Sequence, residues 1–197
     1  ADVAKVDILN WLGAQHAASQ IAAIAPYVAS QNDDVASAAI AAASKIGGEQ
    51  ALAALINRMT KGEENEVVDA ALIKGFLSFN GSINDEFARV MDVNAHARKI
   101  SKAVLTKRRI ADSASKILVW VDNGGDDSAI PALTTNAVEK NFDKYCNLFE
   151  QGRDVSKAII KAIQNKPAAE QAKMIQGRMD KAGAKKHLYY PVLAATG

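Results

Sequence analysis

Ile46-Gly47-Gly48-Glu49-Gln50-Ala51-Leu52-Ala53-Ala54-Leu55 reads as the end of one apolar helix, a glycine turn and the opening of a second helix. Glycine tolerates the left-handed backbone that closes a helix. Glu49 then suits the positive end of the next one, and Leu52 and Leu55 restart an apolar stripe at helical spacing. The same phrase, a glycine-closed apolar helix followed by [Leu/Ile]-x-Ala-[Leu/Ile], occurs as Leu12-Gly13 with Ile21-Ala22-Ala23-Ile24. It occurs again, behind a looser turn at Asn123-Gly124-Gly125, as Ile130-Pro131-Ala132-Leu133. Intervals of 34 residues separate Gly13 from Gly47 and Gly47 from Gly81. A two-helix unit recurring at such a period predicts stacked helical hairpins.

Composition agrees. The 197 residues are 49% hydrophobic with mean hydropathy near zero, which suits a folded domain rather than a disordered chain. Aromatic residues make up only 6%, proline is scarce, and alanine is abundant, as in Val35-Ala36-Ser37-Ala38-Ala39-Ile40-Ala41-Ala42-Ala43. Alanine has the best helix propensity and lets helix axes approach closely, so the expected class is all-α. Apolar runs are broken by Ser, Lys or Gly well short of the ~20 residues that a membrane helix needs. The start, Ala1-Asp2-Val3-Ala4-Lys5, has neither a basic leader nor a cleavable apolar stretch, and reads as a mature or excised start. The cellular compartment is left open.

Along the chain the expected helices fall in pairs. Val3, Val6, Leu9 and Leu12, widened by Ile8 and Trp11, predict an amphipathic helix over 2–13 that Gly13 stops in left-handed backbone. Ser19 is expected to cap its partner, with Ile21, Ile24 and Val28 inward and a kink at Pro26. Asp33 or Asp34 caps the next helix, which runs to Gly47, and its partner returns through Leu52, Leu55, Ile56 and Met59 to Gly62. A third unit follows the acidic Glu63-Glu64-Asn65-Glu66, reaches Asn80-Gly81, and returns over 83–91. Beyond it the array becomes irregular: helices are expected over 94–108, 110–121 and 127–137, and near 139–151, 154–165, 168–182 and 184–195. Leu193-Ala194-Ala195-Thr196-Gly197 repeats the glycine-closed ending of a first helix. A stacked array ordinarily ends in a polar cap, so the chain is expected to be a segment of a longer protein.

The units 5–28, 34–59 and 111–133 resemble HEAT repeats, especially the short alanine-rich kind called HEAT-like or bilin-lyase-type repeats. In these the first helix ends in a Leu-Gly-like step and the second opens around Ala-[Leu/Ile]-x-Ala-Leu. The likeness covers about half of the chain by motif and the rest by helix spacing. The Asp-Pro usual between the helices is absent, and Lys5, Ser37 and Asp112 stand where the first helix commonly carries Arg. The resemblance implies a right-handed α–α superhelix of five to six hairpins, forming one array over 1–197. It also implies a non-catalytic scaffold, a segment of a bacterial multidomain protein, that binds a protein partner on the concave face lined by the second helices. No cofactor or metal is expected, and a monomer is favoured.

Residues with catalytic or metal-binding patterning are few. His16, His96 and His187 stand apart, with neither His-x-x-x-His nor Cys-x-x-Cys spacing, and are expected on exposed turns or helix surfaces. Cys146, the single cysteine, reads as a small core residue of a helix over 142–149. Gly124-Gly125-Asp126-Asp127 lacks both the Gly-Lys-[Ser/Thr] of a phosphate loop and the alternating oxygens of a calcium loop, and reads as a turn with an acidic cap. Trp11 and Trp120 both fall within apolar stripes, as expected of core residues.

Charge is less even than the net of +2. Residues 63–92 hold seven acidic and two basic side chains, whereas 93–121 hold Arg98, Lys99, Lys102, Lys107, Arg108, Arg109 and Lys116 against Asp112 alone. Arg98, Lys99, Lys102, Arg108 and Arg109 form the candidate interaction surface. Its simplest reading is a solvated helix face paired with the acidic repeat before it. The alternative is nucleic-acid contact over the basic block 98–116, as in the HEAT-like DNA alkylpurine glycosylases, with nucleic acid the less favoured partner. An enzyme of the bilin-lyase kind is a third, weaker expectation, implied by the resemblance alone. Tyr189 and Tyr190 are candidates for interface anchors, with at least one expected in the core.

Overall fold

Helices fill the computed structural model, which describes residues 2–196 and has no strand among them. Gly197, the last residue of the expected glycine-closed ending, lies outside the described residues. Contacts divide the chain into two compact units, one up to Val104 and one from Leu105 onward.

The first unit holds α1 (Asp2–Ala14), α2 (Ile21–Ile24), α3 (Asp33–Ile46), α4 (Gly48–Lys61), α5 (Glu66–Leu77) and α6 (Asn84–Val90), and most of α7 (Ala95–Lys107). The segment around α2 winds as 3₁₀ helix on both sides, over Ala18–Gln20 and Ala25–Ala29. Pro26, at the start of the second of these, cannot donate to an α-helical bond, which accounts for the tightening there. Ser19 is therefore not a cap. It lies within a 3₁₀ turn, and no side chain caps either that turn or α2.

Helix α3 contacts both α1 and α5, and its alanines set how closely they pack. Ala36, Ala38, Ala39, Ala42 and Ala43 are all buried. A Cβ on Gly13 would fall 2.7 Å from Ala42 Cα, and one on Gly75 of α5 would fall 2.6 Å from Ser44 Oγ. Gly13 thus does not end its helix: α1 runs on to Ala14, and the left-handed residue is His16, with φ 49. The absent side chain at Gly13 serves helix contact. The true turn glycine is Gly47, with φ 75, where a Cβ would lie 2.0 Å from the Asn80 carbonyl oxygen.

The close α1–α3 contact also overturns the expectation for the first apolar stripe. Leu9 and Gly13 are the buried residues of α1, while Val3, Ile8 and Trp11 are exposed, Trp11 by 62%. At about 100° per residue, Trp11 stands some 200° around the helix from Leu9, so burying Leu9 against α3 turns the indole outward.

Asparagines join successive elements of this unit. Asn32, rather than Asp33 or Asp34, caps α3 by accepting the Val35 N–H at 3.1 Å; the two aspartates occupy the first turn, where their charge meets the helix dipole. Asn65 caps α5 in the same way through Val68, and its amide donates to Asp33 Oδ1 at 3.0 Å. Asn94 accepts from Ala97 N–H at the start of α7 and donates to the Thr60 carbonyl at 2.8 Å. At the opposite ends of the helices, His16 Nδ1 lies 2.7 Å from the Lys45 carbonyl, and Asn80 Nδ2 donates to the same oxygen at 3.2 Å.

The second unit contains α8 (Ala114–Asp122), α9 (Ile130–Thr135), α10 (Phe142–Glu150), α11 (Ser156–Ile163), α12 (Ala168–Ala182) and α13 (Tyr190–Ala194). Helix α8 starts four residues later than the expected Ile110 because Asp112 takes φ 60. Asn136 fixes that turn, accepting from Ile110 N–H at 2.8 Å and from Ser113 Oγ at 3.1 Å. Trp120 is buried, as expected. So is Tyr189, whose hydroxyl donates to Glu150 Oε1 at 2.6 Å, while Tyr190 is exposed. Arg178 of α12 completes the cluster, donating to the same Glu150 oxygen at 2.8 Å and to Asn147.

Candidate binding groove

Within the first unit, a groove of about 880 Å³ runs between the Ile21–Ala29 segment and α4, closed at one end by residues 61–65. Helix α4 contributes Gln50, Ala53, Ala54, Asn57, Arg58 and Lys61. Their spacing of three and four residues puts them on one face. The face across the groove is small and smooth, formed by Ala22, Ala25, Val28 and Ala29. Amides stand above this floor: Gln31, Gln50 and Asn57 are all exposed.

Arg58 is, with Lys61, one of two cations in this groove. Its Nε is buried and has no hydrogen-bond partner among the described residues. A Cβ at Gly62 would fall 2.5 Å from the Arg58 carbonyl oxygen and 2.9 Å from Arg58 Cδ. The Gly62 backbone, at φ −76, is one that any residue adopts, so the requirement is for space. The acids around the groove are mostly engaged. Asp33 accepts from Asn65, and Glu64 lies 3.5 Å from Lys99 Nζ; Glu63 is exposed.

The sequence-derived basic residues lie elsewhere. Arg98, Lys99 and Lys102 are on α7; Arg108 and Arg109 follow its end, in the second unit. Arg98 pairs with Asp92 at 2.6 Å. Lys99 reaches Asp69 Oδ2 at 3.1 Å as well as Glu64, and these acidic hydrogen bonds hold its ammonium above its ordinary range. Arg108 is half-buried, which pulls its guanidinium below its ordinary range, and Arg109 is exposed.

His96 is buried, not exposed as its sequence setting implies. Its Nε2 lies 2.7 Å from Asp69 Oδ1, and its Nδ1 is buried without a hydrogen-bond partner among the described residues. Asp69 itself is 4% exposed. Burial pushes its carboxyl up, but the hydrogen bonds from His96 and Lys99 outweigh that and hold it below the usual carboxylate range. The pair reads as a buried tie between α5 and α7. His16 and His187 are exposed, as expected.

In the second unit, burial pushes the Cys146 thiol up to about 11, against the activation that a nucleophilic cysteine needs. A shallower hollow of about 540 Å³ there is lined by Phe142, Met174, Gly177 and mixed charges, among them Arg178, which is already paired with Glu150. Among the described residues no three His, Cys, Asp or Glu side chains converge as metal ligands, and no helix is long and apolar enough to cross a membrane.

No protein-family model, curated protein or solved structure matches this chain. The α4 groove was missed in the sequence because alanines and amides carry no motif. The sequence signal for it is the α4 set Gln50, Asn57, Arg58 and Lys61, polar residues that flank its buried Leu52 and Leu55.

Proposed function

We propose that this chain is a non-catalytic helical-repeat module that binds another protein, with the α4 groove as its docking surface. The HEAT-like superhelix implied by the repeat phrase is part of this reading. It is supported by the order of contacts in the first unit, where α3 touches α1 and α5 while α4 touches Ala25–Ala29 and α6. Alternate elements packing on alternate elements is how repeated hairpins stack.

The observation that carries the binding role is Arg58. A guanidinium whose buried Nε has no partner is costly to hold unless something supplies an acceptor. Nε itself is closed to solvent, so the incoming acceptor is placed on the part of the Arg58 side chain that lines the groove. Nucleic-acid contact through the basic block has less support, since Arg98 and Lys99 already face carboxylates.

Site-specific photocrosslinking tests the role. A benzophenone side chain at position 53, in the groove, is expected to give discrete protein adducts in cell extract. The same group at exposed position 119, on α8, is expected to give none of them. Identical adducts from both positions, or none from position 53 in a folded protein, would sink the proposal.

A further inference from the structure

The dimensions and chemistry of the groove narrow what it takes. From Gln50 to Lys61 the lining face of α4 advances roughly 16 Å at about 1.5 Å per residue. An extended chain covers that distance in about five residues at about 3.3 Å each. The lining has no aromatic side chain, and its largest apolar member is Val28, which is buried. Apolar small-molecule sites are lined mainly by large hydrophobic and aromatic groups, so this surface is poorly suited to them. It suits a polypeptide main chain: alanines at positions 22, 25, 29, 53 and 54 let the backbone approach, and the amides of Gln31, Gln50 and Asn57 offer both donors and acceptors to peptide groups.

Charge then selects the side chain that must accompany that backbone. Arg58 lines the groove and presents a planar fork that matches a carboxylate, whereas Lys61, the other lining cation, offers a point charge. Asp33, Glu63 and Glu64 border the same groove. Their negative charge opposes a doubly charged phosphate more strongly than a singly charged carboxylate. We infer that the α4 groove binds an extended segment of about five residues from a partner protein, held by a Glu or Asp carboxylate on Arg58. The inference rests on the groove being the protein-docking surface proposed above.

The test uses nitrogen-15-labelled full chain and a pool of acetylated, amidated pentapeptides Ala-x-Glu-x-Ala, with x varied, followed by amide and arginine Nε–H resonances. Matched pools carry Gln or phosphoserine in place of Glu, and free glutarate serves as the small carboxylate. The Glu pool is expected to move the Arg58 Nε–H and the Gln50 and Asn57 side-chain amides, and to bind at least fivefold more tightly than the Gln or phosphoserine pool. Arg58→Gln is expected to reduce the Glu pool to the affinity of the Gln pool. Should that variant not fold, the Arg58 Nε–H of the unaltered protein gives the same reading.

Equal binding of the Glu and Gln pools, both abolished by Ala53→Trp, overturns the carboxylate assignment and leaves the groove as a protein surface. Tighter binding by the phosphoserine pool overturns it in favour of phosphate. Glutarate acting as strongly as the Glu pool overturns the peptide occupant. Silence of the groove resonances with every pool overturns the inference outright, while adduct formation at position 53 decides the broader reading separately.

Discussion

Two tryptophans with the same sequence setting have opposite fates. Trp11 and Trp120 each sit in an apolar run, yet Trp11 is 62% exposed and Trp120 is 3% exposed. The difference comes from their neighbours: Gly13 and Ala42 bring α1 down on the Leu9 side, and nothing in the local sequence around Trp11 records which side of α1 meets α3. Trp120→Ala should therefore cost about 3–5 kcal/mol in urea unfolding, through lost burial and the cavity left behind. Trp11→Ala should stay within about 0.5 kcal/mol, as surface substitutions do. Iodide should quench Trp11 emission selectively, so that Trp11→Phe removes most of the quenchable fluorescence; comparable costs for the two alanine variants would contradict this assignment. Gly13 is read at the same scale. Gly13→Ala keeps a helical backbone but sets a methyl 2.7 Å from Ala42 Cα, so it should destabilise by about 1–3 kcal/mol, whereas a glycine serving only as a helix stop would tolerate the change at a different cost and without separating α1 from α3.

Between elements, the tie that most depends on solution conditions is the one from α5 to α7 through Asp69. His96 and Lys99 both donate to this buried carboxylate and hold its pKa below the ordinary value, so it is the charged form that the fold stabilises. The sign follows from linkage. The stabilisation is fully present above the unfolded pKa of about 3.9 and is lost as pH falls through the lower folded value. Urea midpoints should accordingly fall on the acid side of about pH 4, and Asp69→Asn should flatten that part of the profile while costing about 2–4 kcal/mol at neutral pH, because it leaves His96 and Lys99 facing an amide. An unchanged acid limb in Asp69→Asn would locate the acid sensitivity elsewhere. Helix positions were largely legible in the sequence because glycine, asparagine and aspartate mark helix ends while apolar spacing marks their bodies; α12 falls on the expected 168–182. The ties were not legible. His96 and Asp69 lie 27 residues apart and meet only once α7 packs beside α5, and Asn32 and Asn65 each cap one helix while bonding a residue about 30 positions earlier. The groove was hidden for the same reason: it forms only where α4 meets alanines from another element.

At the scale of the whole chain, contacts gather into two compact units, each with its own buried side chains. The first is built on the buried alanines of α3 with Leu55, Leu72, Phe76 and Phe87, the last two meeting edge to face at 5.1 Å. The second contains Trp120, Leu133, Tyr145 and Tyr189, with Phe149 against Tyr189 at 5.4 Å. Core substitutions act through the atoms they touch, and sites without shared partners add rather than couple. Gly75→Ala, which crowds Ser44 and Ile40, should therefore raise amide hydrogen exchange in α3, α4 and α5, which share its core, before it does so over residues 114–194. Trp120→Ala should do the reverse, loosening α8 and α9 first, and the double variant should lose the sum of the two single losses to within about 0.5 kcal/mol. The Cys146 thiol reports on the second core independently: it is fully buried and pushed up to about 11, so a disulfide reagent should label it only as that unit opens. Labelling should accelerate in Trp120→Ala, with little change in Gly75→Ala. If Gly75→Ala instead speeds thiol labelling and exchange in both halves alike, the two cores open as one cooperative body, and the division at Val104 has no energetic meaning.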